Sequence, residues 1–99
     1  MWSKTKETTG YRLPYNQVLH ELSMPVGAKI LQVVAGERFD GPLLWVMQPR
    51  SPAKADMCLR TFYVLGCNAE ISEELAAHLD FVGLAIYGKK VFEVFELKS

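Results

Sequence analysis

The chain has 99 residues, 49% of them hydrophobic and 22% charged, with 11 Lys+Arg balanced by 11 Asp+Glu for a formal net charge of zero. That length fits one domain, 1–99, with the first ten residues loose. The composition excludes a disordered chain, and the charge balance argues against a generic nucleic-acid binder, which carries a basic surplus. The opening residues lack an apolar core like that of a secretory signal, and no run approaches membrane-spanning length, so a cytoplasmic protein with no membrane contact is expected.

In chain order, Lys6–Pro14 reads as turn-rich around Gly10, followed by a short extended piece, Tyr11–Tyr15, that Pro14 confines to a sheet edge or strand end. "NQVLHELSM" is read as a strand. "PVGAKILQVVAG" is a clearer one, punctuated by Pro25, Gly27 and Gly36 and carrying β-branched Ile30, Val33 and Val34. Residues 37–42 form a loop returning into "LLWVMQ", so these two strands are expected to pair antiparallel. The proline-bearing loop "QPRSPAKAD" leads to the strand "MCLRTFYVLG".

"CNAEISEELAAHLD" holds the one helix, about 72–78, with Ser72 as cap and Glu73 and Glu74 at its positive end. A closing hairpin then runs Leu79–Tyr87 and Val91–Leu97 around Gly88-Lys89-Lys90. Six or seven short strands and one short helix predict a mainly β protein, a small antiparallel sandwich or barrel. Both closing strands are apolar on both faces, and a chain this small has little with which to cover both. Contact with a second copy or another protein is the implied use.

The segments "YRLP", "MPVGAKILQV", "LLWVM", "RTFYVLG" and "FVGLAIYGKKVFEVFE" together resemble a family of small uncharacterised domains encoded mainly in bacteriophage and prophage genomes. The resemblance covers residues 11–96. Its most specific pieces are Pro25-x-Gly27-Ala28-x-Ile30-Leu31, Leu44-Trp45, Val82-Gly83 and Val91-Phe92-x-Val94-Phe95-Glu96. Two departures stand out: Cys67, Asn68 and Ala69 replace a common threonine, glycine and histidine, and Glu93 stands where a histidine is frequent. The resemblance implies provenance, a phage-type protein acting inside a bacterial cell, and carries no activity.

Candidate chemistry is sparse. His20, His78, Cys58 and Cys67 are not paired at metal-ligand spacing, so no metal or other cofactor is expected and both histidines read as structural. Cys58, mid-strand, reads as core and Cys67 as a loop residue, both free thiols in a reducing compartment. Catalysis by Cys67 with His78 has no orienting third group, and no enzyme is expected. The acidic run Glu70, Glu73, Glu74 makes the helix start a poor anion site.

Arg50, Lys54, Arg60, Lys89 and Lys90 are candidate ligand-binding cations, able to form a basic pocket between copies. The plainer reading is that they serve solubility and edge protection. Trp45, Phe62, Tyr63, Phe81, Phe92 and Phe95 read as core, and Trp2, Tyr11, Tyr15 and Tyr87 as aromatics for partner contact. The leading expectation is a phage-type protein that binds, and thereby inhibits, a host macromolecule of bacterial defence. A nucleotide-sequestering oligomer and a minor virion or assembly component are the alternatives.

Overall fold

The computed structural model of the chain describes residues 5–35 and 41–98. Seven strands form two antiparallel sheets facing each other, as the alternation and turn signals predict. The first sheet has β1 (Lys6–Arg12), β4 (Leu43–Pro49) and β3 (Lys29–Val34), in the order β1-β4-β3. The second has β2 (Leu19–Pro25), β5 (Met57–Gly66), β7 (Lys90–Leu97) and β6 (Leu79–Tyr87), in the order β2-β5-β7-β6. The predicted β3–β4 pairing is present, with a register shift between Ile30 and Gln32.

β1 replaces the turn expected around Gly10 with a continuous strand. It begins at Lys6 and runs straight through Gly10, pairing with β4 along its whole length before ending ahead of Pro14. Gly10 lies opposite Trp45, and a Cβ added there would meet the indole at 3.3 Å. The ring therefore lies across the glycine and supplies the cover that the missing side chain cannot. This also moves Trp45 out of the expected core: it is 40% exposed on the outward face of the first sheet.

The chain changes sheets after β2. Gly27 takes a positive φ of 82°, and Ala28 N–H donates to Pro25 O in the tight turn into β3. Leu13, Met24, Leu44, Val46, Phe62 and Val94 fill the space between the sheets with essentially no exposure. The closest approach is β6 against β3, where a Cβ on Gly83 would lie 2.8 Å from Val33 Cγ2. Gly83 also follows a bulge in β6, between Phe81 and Gly83.

The helix is shorter than predicted, α1 (Glu73–Ala76), and is capped as predicted by Ser72 Oγ, which accepts from Leu75 N–H at 3.1 Å. It belongs to a crossover. β5 and β6 flank β7 and both run antiparallel to it, so they are parallel to each other, and residues 67–78 carry the chain from one end of β7 to the other. Asn68, at φ 69°, makes the turn out of β5, a conformation asparagine tolerates. The β6–β7 hairpin closes on Gly88-Lys89, with Lys90 already paired to Tyr87 and Gly88 at φ 60°.

Candidate interaction face

The ends of the sandwich are closed by different chemistry. At the Met57 end, Arg60 donates to both carboxylate oxygens of Glu96, at 2.6 and 2.7 Å, and to Ala28 O at 2.6 Å. Arg60 and Glu96 belong to the second sheet and Ala28 opens the way into the first, so this guanidinium ties the sheets together. The two side chains are 22% and 20% exposed, and the hydrogen bonds that Arg60 donates to Glu96 hold the guanidinium protonated beyond its ordinary range despite partial burial. Arg60, expected as a ligand-binding cation, is thus committed inside the fold. A cleft of about 510 Å³ lies beside it, lined by Gly27, Cys58, Asp80 and Lys98.

At the other end, Tyr15 stacks on Phe92 at 4.3 Å between ring centroids, with Tyr87 at 6.0 Å. The Tyr15 hydroxyl is buried with no hydrogen-bond partner, and burial first, then Tyr87, pushes the phenol above its ordinary value. Tyr15 was expected to face a partner and instead plugs the sandwich, as does half-buried Tyr87. Tyr11, expected likewise, hydrogen-bonds to buried Gln48. Trp2 lies outside the described residues, as do residues 37–40 of the predicted loop.

The remaining candidate cations divide between the same two ends. Arg50, 3.8 Å from Glu7, lines an apolar pocket with Val26, Pro49 and Pro52, and Lys54 sits nearby on a single 3-10 turn, Lys54–Asp56. Lys89 and Lys90 lie at the opposite end of the second sheet, beside Gly66 and Cys67. Within one chain they make no common basic pocket. Cys58 is half-buried rather than core and Cys67 is exposed, and both are free thiols. His20 is buried, its Nε2 2.9 Å from Gln17 O, whereas His78 is exposed beyond α1.

The apolar surface expected from the closing hairpin lies on the outward face of the second sheet. Register places Leu19, Tyr63, Phe95 and Phe81 side by side across its four strands. Leu65, Glu93 and Leu84 form the adjacent row, and Val91 with Ile86 the next. Phe81, expected in the core, is 58% exposed and packs edge-on against Phe95 at 5.6 Å. Leu19, Leu84 and Ile86 are 47%, 49% and 63% exposed. With half-buried Tyr63, Leu65, Val91 and Phe95 between them, these side chains give the second sheet an apolar outward face, the kind of surface that marks interaction sites.

The family model described as Domain of unknown function (DUF7352) matches residues 5–99. The chain belongs to this family. No curated protein and no solved structure matches it. Membership of the DUF7352 family brings no activity, so the chemistry has to come from the face itself.

On that face the DUF7352 chain carries one anomaly. Glu93 is half-buried, with Leu65 and Leu84 as cross-strand neighbours and Val91 and Phe95 two residues away on its own strand. Among the described residues no cation lies within ion-pair reach of it. Sequence reading noted Glu93 only as a departure from the resembled family. The usable signal was the break in the outward series Val91, Phe95, Leu97. No group of three or more His, Cys, Asp or Glu able to hold a metal occurs among the described residues, and no described helix is long and apolar enough to cross a membrane.

Proposed function

We propose that this chain is a non-enzymatic binding protein that engages another folded protein through the outward face of the β6–β7 hairpin. The observation that carries the reading is the row Phe81, Leu84 and Ile86, three large apolar side chains turned to solvent along one strand. Solvating such a row is unfavourable, and burying it against a partner recovers the hydrophobic free energy. The separation of the thiols, histidines and cations supports binding over catalysis, because among the described residues neither thiol has a histidine base and an orienting group beside it.

The resemblance to phage-borne domains supports a finer version. In it the chain is a phage-type accessory protein working in the cytoplasm of a bacterial host, and its target is a host defence protein that it blocks. The test uses the intact chain and a Phe81→Ser/Ile86→Ser variant as paired baits in host lysate. A protein retained by the first and lost by the second is expected, and equal recovery by both would remove the hairpin face from the account.

A further inference from the structure

Resting on that reading of the face, we infer that its occupant is an apolar protein segment bearing a basic side chain, Lys or Arg, placed to pair with Glu93. Outward-facing positions of the second sheet carry two charges, Glu21 near the β2 edge and Glu93 amid the apolar rows, and both are acidic. Glu93 is a half-buried residue with no cation beside it among the described residues, so its carboxylate depends on water for solvation. A purely apolar partner laid over Leu65, Leu84 and Phe95 would strip away its remaining water and make matters worse.

A second copy docked face to face about a two-fold would bring two Glu93 side chains into one interface, and the face offers no lysine or arginine to answer them. A partner with a cation among apolar side chains satisfies both terms at once: it covers the row and neutralises the acid. Charge of this kind at the centre of a patch sets which partner is accepted more than how much area is buried.

The experiment selects a random twelve-residue displayed peptide library against the purified chain. Enriched peptides are expected to combine apolar residues with at least one Arg or Lys. Glu93→Gln should weaken their binding about tenfold or more, and Glu93→Lys should turn the preference toward acidic peptides. Glu93→Val should raise the melting temperature by a few degrees while abolishing the preference for basic peptides, because the carboxylate serves binding and not the fold.

Enriched peptides without basic residues, binding indifferent to Glu93→Gln, or a lowered melting temperature in Glu93→Val would each overturn the inference. So would failure of any peptide to enrich. The outcomes separate the two levels of the argument. If peptide binding survives Phe81→Ser/Ile86→Ser, the hairpin face itself is wrong; if that variant abolishes binding while Glu93→Gln does not, only the charge pairing falls. Concentration-dependent dimerisation abolished by Phe81→Ser/Ile86→Ser would assign the face to a second copy and overturn the cationic occupant.

Discussion

Two residues show how narrowly this fold is packed. Tyr15 carries a hydroxyl that is buried and unpaired at the aromatic end of the sandwich. An orphaned donor loses its water without gaining a partner, so Tyr15→Phe is expected to stabilise the chain by about 1 kcal/mol. Its pH dependence follows from the raised phenol. Above the ordinary value of 10.0 the unfolded chain releases this proton before the folded one does, so the unfolded state binds fewer protons and stability falls as pH rises through that range. Below it Tyr15 adds no slope. Denaturant titrations at neutral and alkaline pH should show that slope in the natural chain and a shallower one in Tyr15→Phe.

Gly83 is the second. A methyl group there would press on a β-branched valine that has little room to turn. Gly83→Ala should therefore cost about 1–3 kcal/mol. Val33→Ala in the same chain should recover part of that loss, and a double-mutant cycle reads the coupling directly.

At the scale of elements, much of the architecture was legible before any coordinates. Gly88-Lys89 between two apolar runs marks a hairpin, Ser72 ahead of two glutamates marks a helix start, and the β-branched run at 29–34 with the apolar run at 43–49 marks a strand pair. What escaped has a common physical cause, namely that local pattern fixes an element but not its neighbours. Gly10 looked like a turn because its cover, the Trp45 ring, comes from another strand. Phe81 and Trp45 looked like core because strand alternation identifies two faces without saying which one meets the opposite sheet. Arg60 looked like a free cation because its partner Glu96 is 36 residues away. The apolar surroundings of Glu93 are hidden from the sequence for the same reason, being assembled from β5 and β6.

For the whole molecule, the deciding quantity is how few contacts hold two sheets together in a slab of 50 × 33 × 18 Å, its thinnest direction about what two facing sheets occupy. At the Met57 end Arg60 carries a polar link between the sheets, donating to Ala28 O while its pairing with Glu96 within the second sheet holds it in place. Glu96→Ala leaves a mostly buried guanidinium with one of its two partners, at an expected cost of about 3 kcal/mol. The paired replacement Arg60→Met/Glu96→Leu should come close to the natural stability, since it removes both charges and keeps the volume. Urea unfolding of the two variants checks the contrast. Equal losses would mean that the pair contributes through packing, not charge.

The position of β7 has a consequence for how the molecule is made. It follows every other strand in the chain and yet lies between two of them. As a nascent polypeptide leaves the ribosome, β5 and β6 emerge with no means of pairing with each other, and the gap between them closes only when residues 90–97 arrive. Until then the seam of the larger sheet stays open and its aromatic residues are unshielded. The larger sheet must therefore be completed from its middle, an order of events that leaves a chain cut off before Lys90 with nothing to close the breach.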